Sequence, residues 1–188
     1  SAIGLNCNSP GNLTAQTIVN KSGGNNLIMW DKSEVSVQVT TMDLSYGDIS
    51  ITEYAGKLKF TYYTDAQTQK TVTGQLCDSE YEIMQSNSTT ATDHTISISG
   101  TASGTLKLKL NGVNISTSTD RSPIDITDNA KVDLILCGTN MTVYNSNGLD
   151  TPSIHVAPLS ELDIEGTGSI DTGNNRGISK GYYSAGIG

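Results

Sequence analysis

One short pattern occurs three times in the chain, as Leu108-Lys-Leu110-Asn-Gly112, Leu134-Ile-Leu136-Cys-Gly138 and Leu162-Asp-Ile164-Glu-Gly166. In each copy two apolar residues flank one residue, and a glycine follows two positions later. The copies are almost evenly spaced, and a weaker copy without the glycine, Tyr81-Glu-Ile83, precedes the first by a similar interval. Because side chains alternate between the two faces of a strand, each copy predicts a short strand with one apolar face. Recurrence at a near-constant spacing predicts a repeat architecture.

Two more sets of apolar strands lie between these copies. The second set is Ile96-Ser-Ile98, Ile124-Asp-Ile126, Ile154-His-Val156 and Ala185-Gly-Ile187, and its spacing is similar to that of the first set. The third set follows each glycine and consists of Val113 and Ile115, then Met141 and Val143, then Ile170. Three short strands per coil of about 26–31 residues predict an all-β fold, a right-handed parallel β-helix. In this solenoid Leu108, Leu134 and Leu162 lie above one another, in coils stacked ~4.8 Å apart.

An antiparallel sandwich is the alternative architecture, because it also consists of short alternating strands. Its strands would be joined by hairpin turns such as Asn-Gly, and Asn111-Gly112 is one such signal. A sandwich does not require three strands to recur at a near-constant spacing, so the repeat favours the β-helix.

Residues 1–80 are less regular and are expected to form an N-terminal cap or strand-rich subdomain. Strands are predicted here at Val35-Ser-Val37-Gln-Val39, Ile49-Ser-Ile51 and Leu58-Lys-Phe60-Thr-Tyr62. A solenoid end needs a cap because it exposes apolar side chains and an unpaired strand edge. Residues 81–188 are expected to form the coils. The sequence ends at Gly188 within a strand of the second set, so we expect the coils to be truncated at the C-terminus.

The composition disfavours two classes of partner. The formal net charge is -8, and an acidic chain does not track a phosphate backbone, so nucleic acid is not expected as a partner. No apolar run approaches the ~20 residues that cross a bilayer. The sequence also has no basic amphipathic stretch, so membrane insertion is not expected either.

No residue pattern marks a catalytic, metal or cofactor site, and the protein is not expected to be an enzyme. The aspartates that recur at outward strand positions are Asp125, Asp128, Asp133, Asp163 and Asp171. A glycosidase needs two facing carboxylates, but the predicted alignment puts Asp133 and Asp163 at different phases of adjacent strands. His94 and His155 lie far apart in the sequence at the second set of strands, with His155 pointing outward, and no nucleophile motif accompanies them.

The three cysteines, Cys7, Cys77 and Cys137, lack the close spacing of a zinc or redox motif. A Cys7–Cys77 disulfide and three buried thiols are both compatible with the sequence. N-glycosylation sequons start at Asn12, Asn87, Asn114 and Asn140, and they matter only after secretion from a eukaryotic cell.

Variable loops are the expected place for ligand recognition. They occur at 116–122, 144–153 and 172–184, while the strands hold their spacing. Loops on a rigid scaffold commonly carry binding residues, and Tyr and Arg are favoured anchors at interfaces. The predicted binding residues lie in the last loop and are Asn174, Asn175, Arg176, Tyr182 and Tyr183.

Several segments resemble a known module. From Asp43-Leu-Ser-Tyr-Gly-Asp-Ile-Ser-Ile51 to Ala185-Gly-Ile-Gly188, the chain is similar to the β-helical repeats in large surface proteins of Gram-positive gut bacteria. The matching pieces are Gln85-Ser-Asn-Ser-Thr89, His94-Thr-Ile-Ser-Ile98, Leu110-Asn-Gly-Val-Asn-Ile115, Gly138-Thr-Asn140 and Gly166-Thr-Gly-Ser169. The resemblance implies an extracellular location, associated with the cell wall or cell surface, and a module of the adhesin-like or carbohydrate-binding kind. It carries over no functional residue.

Together these features favour a non-catalytic module of a secreted surface protein that binds a host or environmental ligand. The expected ligand is a host protein, such as immunoglobulin or mucin, or a glycan. One alternative is a structural stalk that spaces another domain from the cell wall. The other is a carbohydrate-active enzyme of the β-helix type.

Overall fold

The computed structural model describes residues 39–77, 79–101, 104–117, 121–144, 151–172 and 187–188. Over these residues the chain is all-β, as the sequence predicted. The elements are β1 (Thr41–Asp43), a 3₁₀ helix (Leu44–Tyr46), β2 (Ile49–Tyr54), β3 (Lys57–Asp65), β4 (Thr68–Gln75), β5 (Glu80–Met84), β6 (Ile96–Ser99), β7 (Leu106–Asn111), β8 (Asn114–Thr117), β9 (Ile124–Thr127), β10 (Lys131–Cys137), β11 (Thr139–Tyr144), β12 (Ile154–Val156), β13 (Glu161–Gly166) and β14 (Ser169–Asp171).

The strands form three sheets, which we call A, B and C. Sheet A has the order β1-β5-β7-β10-β13, sheet B has β12-β9-β6-β2-β3-β4, and sheet C has β14-β11-β8. Neighbouring strands are parallel throughout, except in the antiparallel pairs β2–β3 and β3–β4. From β5 onward, strands that are consecutive in the sequence lie in different sheets. Parallel neighbours come from successive repeats of the sequence, which is the pairing that the spacing predicted.

The register of sheet A agrees with the predicted alignment at one interface and differs at the next. Leu134 pairs with Leu108, as predicted. The predicted alignment of Leu162 with Leu134 is wrong by two residues, because Leu162 pairs with Val132. The same shift occurs at the chain end, where Ile187 pairs with Ile154 instead of lying opposite the second apolar residue of β12.

Close backbone contact explains the shifted register of β13. Gly168 takes the place beside Gly138 that the pattern assigned to Gly166, and its N–H donates to Leu136 O at 2.9 Å. A Cβ on Gly168 would lie 2.6 Å from Gly138 O, so no larger residue fits there. The pattern offers two glycines two residues apart, and an alternating strand keeps its faces when it shifts by two.

In the third set, Val113 and Ile115 are buried as predicted, but β11 carries polar residues inward where apolar ones were predicted. Asn140 and Thr142 of β11 are fully buried, and they pair with Ile170 and Ile115 respectively. Met141 faces outward and is 40% exposed, so its predicted place in the core is wrong. β11 therefore has the opposite phase to the one that its apolar residues predicted.

Inward side chains of the three sheets form one apolar core. Residues before position 80 contribute to it: Ile49 pairs with Ile96 across β2 and β6, and the Phe60 ring lies 4.6 Å from the Tyr81 ring, centroid to centroid. Fully buried members include Ile49, Phe60, Tyr81, Ile96, Leu108, Ile115, Ile124 and Leu134. Each such side chain contributes about 1.5–3 kcal/mol by leaving water. Strands on both sides of the predicted boundary at residue 80 thus share the same sheets and core.

Candidate functional site

A shallow pocket of about 510 Å³ opens beside the segment that leads from β5 to β6. The 3₁₀ helix forms one wall and β8 another. Its lining consists almost entirely of hydroxyl, amide and carboxylate side chains, from Ser45, Gln85, Asn87, Thr90, Ala91, Thr92, Asp93 and Ser116. The polar atoms of these side chains, together with the apolar carbons that they expose in similar amount, suit a ligand that offers both hydrogen-bonding groups and apolar surface.

Gln85, which is buried, fixes the floor of the pocket. Its Nε2 donates to Asn87 O at 3.0 Å and to Thr90 O at 2.8 Å. Its Oε1 accepts from the backbone N–H of Asn114 at 2.7 Å, in the neighbouring β8. One side-chain amide therefore closes the turn at 86–90 and attaches it to sheet C.

Asp43 holds the same turn from the opposite side. Its carboxylate accepts hydrogen bonds from the Ser86 hydroxyl and backbone N–H, and from Ser45 N at 2.9 Å. Partial burial raises the pKa of Asp43, but the hydrogen bonds from Ser86 and Ser45 outweigh it, so the pKa lies below its ordinary value. The carboxylate is ionised at neutral pH and joins the 3₁₀ helix to the turn.

The exposed rim of the pocket consists of short polar side chains in fixed positions. Thr89 Oγ1 donates to Asn87 Oδ1 at 2.9 Å, and Asn87 Nδ2 donates to Thr90 Oγ1 at 3.3 Å. Thr92 pairs through its backbone with Ile115 of β8. The hydroxyl and amide groups are thereby oriented before any ligand arrives, which lowers the entropic cost of binding.

A charged cluster lies near the pocket, at the start of sheet B. Asp48 accepts from Thr95 N at 2.8 Å and from the Arg121 guanidinium at 3.0 Å. Partial burial raises the pKa of Asp48, and these two partners, together with His94, outweigh that effect and lower it. His94 Nδ1 lies 2.8 Å from Leu44 O. These charged residues connect three successive loops and lie next to the pocket without lining it.

The structure brings together two pairs of the sequence-predicted polar residues. Asp133 and Asp163 pair directly across β10 and β13, so the prediction of different phases is wrong, because it followed from the two-residue error in register. Asp125 Oδ1 lies 2.6 Å from His155 Nδ1 on the outward face of sheet B, where His155 was predicted to point. Both members of this second pair are about two-fifths exposed.

The predicted binding residues Asn174, Asn175, Arg176, Tyr182 and Tyr183 lie outside the described residues. Cys7 also lies outside them, so the choice between a Cys7–Cys77 disulfide and buried thiols falls outside the described residues. Cys77 Sγ lies 2.8 Å from Thr101 O. The pocket was missed because its segment has no aromatic or basic anchor. The available signal was the run of polar residues at 85–93 between two apolar strands.

Among the residues that the structure describes, no group of three or more His, Cys, Asp or Glu side chains is placed to hold a metal ion. No protein-family model, curated protein or solved structure matches the chain. The described part of the chain also has no helix that is long and apolar enough to cross a membrane.

Proposed function

We propose that sheets A, B and C are the three faces of a right-handed parallel β-helix. Three observations support this. From β7 onward the strands enter sheets A, C and B in a fixed order, neighbouring strands from successive repeats are parallel, and the inward side chains share one core. A crossover between parallel strands is right-handed in nearly all known cases. Such a scaffold holds its loops rigidly, which is a requirement for a preformed binding site.

We propose further that the chain is a non-catalytic ligand-binding module of an extracellular surface protein, and that the pocket at 85–93 binds a glycan. The observation that carries this proposal is the lining of hydroxyl, amide and carboxylate groups, held in place by Gln85 and Asp43. Sugars offer many hydroxyl groups, each able to donate and accept. Immunoglobulin and mucin are the alternative protein ligands, and their binding is to be compared with that of the glycan.

Burial of one sequon argues against glycosylation at that position. Asn140 begins the sequon Asn140-Met-Thr, yet its side chain is fully buried and hydrogen-bonded. A bulky glycan on Asn140 is incompatible with this position, because glycosylated asparagines lie at the surface.

The test is binding to a panel of oligosaccharides, mucin and immunoglobulin, measured by calorimetry. We expect saturable glycan binding that Asp93→Ala weakens about tenfold, equivalent to ~1.4 kcal/mol, and that Ala91→Trp blocks sterically. Glu53→Ala changes an exposed carboxylate outside the pocket lining and should leave the affinity unchanged. Binding of the protein partners alone, or glycan binding insensitive to both pocket variants, would contradict the pocket assignment. Absence of binding to the whole panel would favour the stalk.

A second function is favoured by the facing carboxylates of Asp133 and Asp163. Retaining glycosidases use two carboxyl groups roughly 5–5.5 Å apart, a separation within reach of side chains on adjacent strands. If the protein is a carbohydrate-active enzyme, it will release reducing sugar from a polysaccharide, and Asp163→Asn will abolish that release. Activity unchanged by Asp163→Asn would exclude this pair as the catalytic centre.

A further inference from the structure

Among the residues that the structure describes, one charged side chain lines the pocket, the carboxylate of Asp93. Asp93 is exposed, and no described residue hydrogen-bonds to this carboxylate or forms an ion pair with it. The backbone on both sides of Asp93 is nevertheless held in place. Thr92 N donates to Asn114 O at 2.9 Å. His94 Nδ1 lies 2.8 Å from Leu44 O. The carboxylate therefore stands at the pocket on a fixed support, with acceptor sites that no described residue occupies.

The charged groups around the pocket leave it negative. Asp43, which holds the adjacent turn, has neutral serine groups as its described hydrogen-bond partners. The nearby cation Arg121 lies 3.0 Å from Asp48 and is matched by that carboxylate. Asp43 and Asp93 thus carry two negative charges that no described cation offsets through an ion pair. A surface of one sign raises the local concentration of ligands of the opposite sign.

The rest of the lining suits a sugar better than a simple cation. Hydroxyl and amide groups of Asn87 and Thr90 are held in fixed positions at the rim, and they match the hydroxyl groups of a sugar ring. An ammonium group donates up to three hydrogen bonds, whereas an ionised carboxylate only accepts them. Hydrogen bonds between such charged partners are stronger than neutral ones. An amino sugar therefore complements both the rim and Asp93, whereas an acidic sugar would set carboxylate against carboxylate.

We propose that the pocket selects glycans that carry a free amine and disfavours glycans that carry a carboxylate. This inference rests on the proposed glycan-binding function of the same pocket and names its substrate class. The ammonium group contacts Asp93, and the ring hydroxyls bind the rim at Asn87 and Thr90. Acetylation of the amine removes the positive charge and with it the preference.

Calorimetry with the full chain and matched oligosaccharides tests this selectivity. The probes are oligomers of glucosamine and galactosamine, their N-acetylated counterparts, and uronic acid oligomers of the same two ring configurations. At low salt the free amine should bind about fivefold more tightly than its N-acetylated counterpart, as expected for an exposed ion pair, and the uronic acid most weakly. At about 1 M salt, where charges are screened beyond ~3 Å, the preference for the amine should largely disappear.

The outcomes separate this inference from the proposed function. Equal affinities, tightest binding of the acidic oligomers, or binding confined to other sugars would overturn the inference and leave glycan binding intact. The absence of any glycan binding would instead refute the proposed function on which the inference rests. Lysine amide serves as a simple amine, and it should not displace the amino sugar at equal concentration. Displacement by lysine amide would show recognition of charge alone and would also overturn the inference.

Two variants locate the source of the selectivity. Asp93→Asn keeps the size of the side chain and removes its charge, so the affinity ratio of the amine to the N-acetylated oligomer should fall from about five to about one. Glu53→Gln removes the same charge at an exposed position outside the pocket lining and should keep the ratio of the wild type. Equal ratios in the two variants would contradict the role of Asp93.

Discussion

Asn140 is the residue whose replacement tests the architecture most directly, because its side chain joins three successive repeats. Its Oδ1 accepts from Val113 N at 3.1 Å. Its Nδ2 donates to Cys137 O at 3.1 Å and to Ser169 O at 3.0 Å. The side chain is fully buried, so Asn140→Ala leaves one N–H and two carbonyl groups without their partners.

The expected cost follows from those three groups. A buried polar group that loses its partner costs about 1–3 kcal/mol, and a water that enters the vacated space recovers part of it. We therefore expect Asn140→Ala to lower the free energy of unfolding by about 3 kcal/mol. For a domain of this size that corresponds to a fall of roughly 6–12 °C in Tm.

The assay is urea denaturation followed by far-UV circular dichroism. Asn111→Ala is the matched control, because Asn111 is exposed and its amide donates one hydrogen bond, to Glu82 at 2.8 Å. The control should cost less than about 1 kcal/mol. Equal losses for Asn111→Ala and Asn140→Ala would refute the reasoning.

Asn140→Asp adds a diagnostic that depends on pH. An ionised aspartate there keeps an acceptor for Val113 N but faces two carbonyl oxygens, so its folded pKa will be raised. The protonated form can donate to one carbonyl. The stabilisation that the protonated side chain gives this variant is therefore fully present below the unfolded pKa of aspartic acid, about 3.9. It is lost as pH rises through the raised pKa of the folded state. We expect this variant to be less stable at pH 7 than at pH 4, relative to wild type.

Three further perturbations test other parts of the structure. The lowered pKa of Asp43 stabilises the fold above the unfolded pKa of this group, and that stabilisation is lost as pH falls through the folded pKa. Between pH 5 and 3, about one unit on either side of the unfolded value, the urea midpoint should therefore fall further in wild type than in Asp43→Asn. Gly168→Ala forces a Cβ to within 2.6 Å of backbone atoms and should lower the free energy of unfolding by about 2–4 kcal/mol. Gly74→Ala, where no atom lies within 4 Å of the new Cβ, should lower it by only the ~1 kcal/mol that a positive φ costs. Phe60→Ala removes a buried ring that packs at a tilt against the Tyr81 ring and should cost about 3–5 kcal/mol in thermal unfolding. The exposed Tyr54→Ala should cost less than about 1 kcal/mol.

The parallel sheets were predictable because alternation at Leu108 and Leu134 recurs at a fixed interval. The exact register of β13 was not, since apolar alternation is unchanged by a shift of two residues. β11 was misjudged for a different reason. Asn140 and Thr142 are polar, yet they occupy buried positions in the core. A prediction that assigns apolar residues to the core therefore selects the neighbouring Met141, which is exposed.

The pocket was less predictable than the strands, because it depends on side chains that are distant in the sequence. Asp43 and Ser86 meet across 43 residues, and Gln85 meets Asn114 across 29. Each contact requires the correct register of two sheets. Polar composition at 85–93 indicated an exposed segment, but only the fold shows that the segment is fixed on both sides.

On the outward face of sheet A, Glu80 pairs with Lys107, and Lys107 pairs with Asp133. These facing opposite charges have a consequence for how mutations accumulate in this chain. A slide of β13 by two residues would keep the leucine and isoleucine rows intact, yet it would separate Lys131 from Glu161 and set Asp133 against Glu161 instead. The solvent-facing charged pairs therefore distinguish between these two registers of β13, whereas the apolar core does not. Exchanging the two members of a charged pair keeps the preference for one register, whereas reversing the charge of one member alone weakens that preference. Drift on this surface is thus constrained pair by pair, although each ion pair by itself contributes little to stability.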